Sequence, residues 1–121
     1  MLLYLRRAGG FSVEEWVQAI AATPGTRIIQ LSDTQVEVGD EQVWVSYGGP
    51  GAEVRLAYDP KVWVRSGDTH FWVTCFFYRD GYVYFELHHD HPDYPVRLAA
   101  LRLAELLGAR IEDAAGSVQA V

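Results

Sequence analysis

The first part of the chain carries apolar residues at the spacing of an amphipathic helix. Ser12 and Glu15 fit the S-x-x-E capping box, in which the serine side chain and the glutamate side chain satisfy each other's backbone amides. The pattern stops at residues 23–25, a Thr-Pro-Gly sequence, so we predict a helix that begins at Val13. Its apolar stripe consists of Val13, Trp16, Val17 and Ile20. Residues 1–5 are predicted to add a short strand to a sheet.

Between residue 26 and about residue 87 the hydrophobic period changes to two, which is typical of β-strands. Glycine, proline and aspartate separate the alternating segments. Residues 35–38 and 42–47 flank Gly39 and Asp40, which suit a two-residue hairpin turn. Further strands are predicted at residues 27–31, 53–58 and 62–65.

Residues 70–78 and 82–88 form the clearest predicted hairpin, because Asp80-Gly81 between them tolerates the positive φ angles of a type I′ turn. This turn sets the register, with Phe76 opposite Phe85 and Cys75 opposite Glu86. The face assigned to the core carries Trp72, Thr74, Phe76, Tyr78, Val83, Phe85 and Leu87. The other face carries Val73, Cys75, Phe77, Arg79, Tyr82, Tyr84, Glu86 and His88.

A second helix is predicted from residue 96 to residue 107, ending at Gly108, which suits the left-handed position after a helix. Residues 109–112 follow as a final edge strand, and residues 113–121 as a weakly held tail. The inner face of the helix consists of Val96, Ala99, Ala100, Leu103, Leu106 and Leu107. The sequence thus predicts a single α+β domain over residues 1–121, with a mainly antiparallel sheet of about five to seven strands and the C-terminal helix packed on one sheet face.

Composition narrows the classes of function. Half of the 121 residues are hydrophobic, which excludes disorder as the overall description. The net charge of −6 argues against general binding to nucleic acid, and no apolar run reaches membrane length. The single Cys75 excludes an internal disulfide and favours a reducing compartment. The N-terminus is too short for a signal peptide, so we expect a cytoplasmic protein.

The segment from His88 to Asp93 is the first candidate for chemistry, because its imidazoles and carboxylates are all capable metal ligands. Its spacing matches no zinc motif, and a connection in which Asp90 or Asp93 caps the second helix explains it better. Metal or small-ligand binding through His88, His89, Asp90 and His91 remains the alternative function.

A second candidate joins Cys75, Glu86 and His88 on one face of the predicted hairpin. A nucleophilic cysteine needs a base or a nearby positive charge, and a neighbouring glutamate raises the thiol pKa instead. We therefore interpret Cys75 as a buried, small apolar residue. No catalytic residue, cofactor or metal ligand is assigned, and the chain is expected not to be an enzyme.

The surplus of aromatic residues beside arginine and glutamate on the second hairpin face is typical of protein-contact surfaces. A second packed layer over that face is the alternative interpretation. Acidic residues at the first helix and at the first hairpin turn are predicted to add an acidic patch that attracts a basic partner. The predicted partner-binding residues are Glu14, Glu15, Asp40, Glu41, Arg79, Tyr82, Tyr84 and Glu86.

The segments SVEEW at residues 12–16 and LAELLGARI at residues 103–111 resemble small bacterial α+β proteins of the toxin-immunity type. The resemblance implies a non-enzymatic protein that neutralises a cognate, possibly basic toxin by covering its active site. A homodimer through Leu98 and Leu101, or through the strand at residues 27–31, is a further alternative.

Overall fold

Ten strands and two helices make up the part of the chain that the computed structural model describes, namely residues 1–29, 34–38, 40–45, 50–56, 58–59, 64–65, 71–88 and 92–119. The strands are β1 (Leu2–Arg6), β2 (Thr26–Ile29), β3 (Thr34–Val38), β4 (Glu41–Val45), β5 (Gly51–Leu56), β6 (Tyr58–Asp59), β7 (Val64–Arg65), β8 (Phe71–Arg79), β9 (Tyr82–Glu86) and β10 (Arg110–Glu112). The helices are α1 (Val13–Ala21) and α2 (Pro95–Leu107).

Six of the strands form one sheet in the order β10-β1-β9-β8-β5-β2. Its described pairings are all antiparallel, and β3–β4 and β6–β7 form separate two-stranded sheets. The predicted α+β class with a mainly antiparallel sheet is confirmed. The strand β1, which comes first in the chain, lies inside the sheet between β9 and β10, so β10 and β2 form the two edges.

Helix α1 begins with the capping box described by its sequence. Ser12 Oγ accepts a hydrogen bond from the Glu15 amide at 3.1 Å, and the Ser12 amide donates to Glu15 Oε1 at 3.4 Å. The helix buries Trp16, Ala19 and Ile20. Val13 and Val17 are each 38% exposed, so the prediction of a stripe that includes both was too wide. They lie at the border of the buried stripe, because the nine-residue helix presents only its centre to the sheet.

Helix α2 begins without a side-chain cap. Tyr94 occupies the N-cap position and Pro95 lies in the first turn. The predicted cap by Asp93 is therefore wrong. Asp90, the other predicted cap, lies outside the described residues. Proline lacks the N–H that a cap would satisfy and fixes a helical φ angle, which lets the helix start here. Gly108 ends the helix with φ of 61°, as predicted. Leu106 is 39% exposed, contrary to its predicted place on the inner face.

Aromatic rings dominate the core between the helices and the sheet. The Trp16 ring of α1 meets Phe76 of β8 edge to face at 6.2 Å, and Phe76 contacts Phe85 at 5.2 Å. Two polar tips within this core bond to backbone carbonyls: Trp16 Nε1 donates to the Pro50 oxygen at 3.1 Å and Tyr78 Oη donates to the Phe11 oxygen at 2.8 Å. Helix α1 therefore covers the sheet face that carries Phe76 and Phe85, and the buried residues of α2 belong to the same core cluster.

The β8–β9 hairpin has the predicted turn and register. Asp80 and Gly81 both have positive φ, and Arg79 pairs with Tyr82 and Phe76 with Phe85. Phe76, Tyr78, Val83, Phe85 and Leu87 are buried, as predicted.

A bulge in β8 overturns the predicted face assignment of residues 72–75. The β5–β8 register passes from Ala52↔Phe76 to Glu53↔Thr74, so Cys75 is an extra residue without a partner on β5. An extra residue reverses the alternation of all residues on its far side. Val73 and Cys75 therefore pack against the core, whereas Trp72, predicted to be in the core, is 38% exposed.

The residues after β10 are tied to the sheet through Gln119, so the prediction of a weakly held tail was wrong for this segment. Val118 forms a β-bridge with Glu112, and the Gln119 amide donates to the Ile111 oxygen at 2.8 Å. Asp113 Oδ1 accepts hydrogen bonds from the amides of Ala115 and Ser117. No helix in the described ranges has the length and apolar character needed to cross a bilayer.

Candidate protein-contact surface

Among the side chains that the structure describes, most of the aromatic and arginine side chains outside the core lie on the sheet face turned away from the helices, which we call the outer face. Paired residues of antiparallel strands share a face, so the register defines its members. They are Leu2, Tyr4, Arg6, Arg27, Glu53, Arg55, Trp72, Thr74, Phe77, Arg79, Tyr82, Tyr84, Glu86, Arg110 and Glu112.

The centre of the outer face is a layer of aromatic rings in mutual contact. Phe77 and Tyr84, partners across β8 and β9, are stacked with centroids 5.1 Å apart and planes at 15°. Tyr4 on β1 contacts Tyr82 at 6.1 Å, and the Arg6 guanidinium lies 4.2 Å above the Tyr4 ring. Stacked rings and a stacked guanidinium restrict each other's rotation. This layer is therefore an ordered surface outside the core.

A second group lies across β2, β5 and β8. The Arg27 guanidinium is 4.0 Å from the centroid of the Trp72 ring and donates to Glu53 Oε2 at 2.8 Å. Glu53 is thereby held beside Trp72, which the β8 bulge places on this face. Arg27, Glu53 and Trp72 extend the surface toward the edge strand β2.

Four of the predicted partner-binding residues come together here. Arg79, Tyr82, Tyr84 and Glu86 all lie on the outer face, on β8 and β9. Arg79 and Glu86 are exposed, and the two tyrosines are half-buried. Glu86 Oε1 accepts a hydrogen bond from the N-terminal amine of Met1 at 3.1 Å.

The predicted acidic residues lie on other elements. Glu14 is exposed at the start of α1, which packs on the opposite face of the sheet, and Asp40 and Glu41 are exposed on the separate β3–β4 hairpin.

Glu15, the fourth of them, is held by intramolecular contacts. Arg7 donates to both of its carboxylate oxygens, at 2.6 and 3.1 Å, and also to the Leu107 and Gly10 carbonyls. The hydrogen bond with Arg7 holds the pKa of Glu15 below its usual range, and the same bond raises the pKa of Arg7. Arg7 thereby joins the start of α1 to the end of α2. We assign Glu15 to folding, because both oxygens are engaged within the chain.

The outer face also contains residues that sequence reasoning did not select as partner-binding. Tyr4 and Arg6 alternate with the buried Leu3 and Leu5, a signal that could have placed them opposite the core. Trp72 carried no such signal, because strict alternation along β8 assigns it to the core.

Cys75, Glu86 and His88 do line one cavity, of about 230 Å³, together with Thr74, Phe77 and Tyr94. Burial, reinforced by the charge of Glu53, raises the pKa of the Cys75 thiol to about 12. The thiol donates to the Val73 carbonyl oxygen at 3.2 Å. A thiol with this pKa stays protonated at neutral pH, so the cavity holds no activated nucleophile at Cys75.

The metal-binding alternative falls mainly on residues outside the described part. His89, Asp90 and His91 are among these, and His88 is exposed at the end of β9. Among the residues that the structure describes, no three His, Cys, Asp or Glu side chains form a group that could hold a metal ion.

The residues suggested for a homodimer are exposed on α2, Leu98 at 50% and Leu101 at 37%. They lie on the helical side of the molecule, and Leu98 lines a cavity that also includes Arg55 of β5.

Comparison with known proteins supplies no relative: a scan against family models, a search of curated proteins and a search of solved structures each returned no match for this chain.

Proposed function

We propose that this chain is a non-enzymatic protein-binding module, and that the outer face of the six-stranded sheet is its contact surface. The observation that carries the proposal is the layer of Tyr4, Phe77, Tyr82 and Tyr84, which lies on the face opposite the core and is bordered by arginine and glutamate. Tyrosine, tryptophan and arginine are the residue types that contribute most binding energy at protein interfaces.

The order within this layer favours recognition. The rings are held by stacking on one another and on Arg6, so they lose little rotational freedom when a partner covers them. Trp72, 38% exposed at one side of the layer, supplies apolar area that a partner can bury. Binding a partner through this surface requires no catalytic group.

Within this class we propose an immunity protein, which binds a cognate bacterial toxin and covers its active site. The proposal draws on the resemblance of residues 12–16 and 103–111 to proteins of that type and on the contact surface described above. It places the chain in the cytoplasm, where a single reduced cysteine such as Cys75 is usual.

The test uses the product of the gene adjacent to that of this chain. Both proteins are purified, mixed and measured by size-exclusion chromatography and titration calorimetry, and growth of cells that express the neighbouring product is followed with and without this chain. We expect a stoichiometric complex and restored growth. Trp72→Ala and Tyr84→Ala should each weaken binding about tenfold or more.

Leu101→Ala provides the matched control, because it removes an exposed apolar side chain from α2 on the other side of the molecule. The absence of any complex would refute the immunity proposal. A complex that survives both outer-face substitutions but is lost with Leu101→Ala would move the contact surface to the helices.

A further inference from the structure

The charge of the outer face is opposite to that of the whole chain. The chain has ten basic and sixteen acidic side chains and a net charge of −6. The outer face nevertheless carries five arginines, Arg6, Arg27, Arg55, Arg79 and Arg110, against three glutamates. The negative charge of the chain is therefore concentrated elsewhere, and the contact surface is locally basic.

Three of these arginines form a row across one end of the aromatic layer, which we call the arginine row: Arg79, Arg6 and Arg110. Arg79 pairs with Tyr82, and the Arg6 guanidinium lies 5.6 Å from the centroid of the Tyr82 ring. Arg6 in turn pairs with Arg110 on the edge strand. Tyr82 thus lies between Arg79 on β8 and Arg6 on β1.

The row has an excess of positive charge within the described part of the chain. Arg6 and Arg110 share one carboxylate, that of Glu112, at 3.5 and 3.3 Å. The Glu112 side chain is only 8% exposed, so it is committed to these two arginines. Arg79 is exposed and forms no ion pair with any residue in the described ranges. The row can therefore bind further carboxylates without giving up its own.

We propose that the arginine row, with Tyr82 and Tyr84 beside it, binds an acidic segment of the partner protein, whose carboxylates pair with the guanidinium groups. This inference rests on the proposed protein-binding function and specifies the chemistry of the partner. Guanidinium groups match carboxylates in a planar, two-bond geometry. The net charge of −6 acts at long range, whereas contact charges set the docking position.

Single-stranded nucleic acid is the competing ligand for a sheet face with aromatic and basic residues, because bases stack on exposed ring faces. Here one face of each of three rings is already occupied. Phe77 and Tyr84 stack on each other, and Arg6 covers one face of Tyr4. The accessible polar groups are guanidinium edges and phenol tips, which suit carboxylates.

Fluorescence anisotropy with labelled probes tests this assignment on the full chain. The probes are a short peptide of alternating glutamate and tyrosine, the matched peptide of lysine and tyrosine, and an oligothymidylate. The variant is the double substitution Arg79→Gln with Arg110→Gln. Arg102→Gln is the control, since it removes one arginine charge from an exposed position on α2. Circular dichroism verifies that each variant is folded.

We expect the wild-type chain to bind the glutamate–tyrosine peptide more tightly than the other two probes, with affinity that falls as salt is added. The double variant should lose about tenfold in affinity, and Arg102→Gln should lose none. Absence of binding to the glutamate–tyrosine peptide, unchanged affinity in the double variant, or tighter binding of either other probe would each overturn the inference.

These outcomes are separate from those for the proposed function. A chain that forms a complex with the neighbouring gene product but ignores the acidic peptide keeps its protein-binding function and loses the assigned partner chemistry. A chain that binds the acidic peptide through the arginine row but forms no complex with that product loses the immunity proposal alone.

Discussion

The guanidinium of Arg27 lies over the indole ring of Trp72, with Cζ 4.0 Å from the ring centroid. The two residues belong to β2 and β8, which are separated in the sheet by β5. Glu53 on β5 completes the group by accepting a hydrogen bond from Arg27. This arrangement exists only because the bulge at Cys75 turns Trp72 to the outer face. A local irregularity of one strand thus adds Trp72 to the contact surface.

Trp72→Ala should lower the free energy of unfolding by only about 1 kcal/mol, because the side chain is 38% exposed and its interaction with Arg27 is a surface cation–π contact. Urea denaturation at neutral pH measures this change. Arg27→Gln should give a similar effect, and the double variant should lose less than the sum of the two single losses. A loss of several kcal/mol in Trp72→Ala would instead place Trp72 in the core.

Trp16→Phe should be clearly more destabilising than Trp72→Ala, although it retains an aromatic ring. Trp16 is fully buried, and its Nε1 donates to the Pro50 carbonyl oxygen at 3.1 Å. The substitution leaves that oxygen without its donor and leaves a cavity, so we expect a loss of about 2–4 kcal/mol. Urea denaturation of both variants side by side gives the ranking, and equal losses would contradict the assigned burial.

The thiol of Cys75 should be unreactive in the folded chain. Its pKa is raised to about 12 by burial, so at pH 8 almost no thiolate is present. We expect slow labelling by a disulfide reagent at that pH and fast labelling once denaturant unfolds the chain. Fast labelling of the folded chain would show that the thiol is accessible and ionised, and would reopen Cys75 as a reactive group.

The contribution of Glu15 to stability should depend on pH. Because its hydrogen bond with Arg7 holds the Glu15 pKa below its usual range, the folded state favours the ionised form. The stabilisation is then present above the unfolded pKa, about 4.3, and is lost as the pH falls through the lower folded value. Wild type should be more stable than Glu15→Gln at pH 7, and the difference should shrink below about pH 4. Thermal unfolding across this range measures it, with Glu14→Gln as the exposed control.

Gly81→Ala should destabilise the β8–β9 hairpin by about 1–3 kcal/mol, because Gly81 has φ of 90°. The added Cβ would also lie 3.4 Å from Gly10 Cα, where the chain passes the turn on its way to α1. Gly116→Ala is a suitable control, since Gly116 also has positive φ but its added Cβ would meet nothing within 4 Å. If both variants lost the same stability, the backbone angle alone would account for the effect.

Sequence by itself determined the features that depend on neighbouring residues. The capping box of Ser12 and Glu15, the turn at Asp80-Gly81 and the helix end at Gly108 each follow from the conformations that these residues adopt locally. The Phe76–Phe85 register follows from that turn.

Only the tertiary structure decided which residues share the outer face. The position of β1 between β9 and β10, which brings Tyr4 and Arg6 beside Tyr82, depends on pairing between distant segments that no local pattern specifies. The bulge at Cys75 depends on how β5 and β8 fit over the core, and it reverses the face of Trp72. Local rules act through adjacent backbone groups. The contact surface is built from strands that are far apart in sequence, so the pairing of those strands determined which residues and which charges it carries.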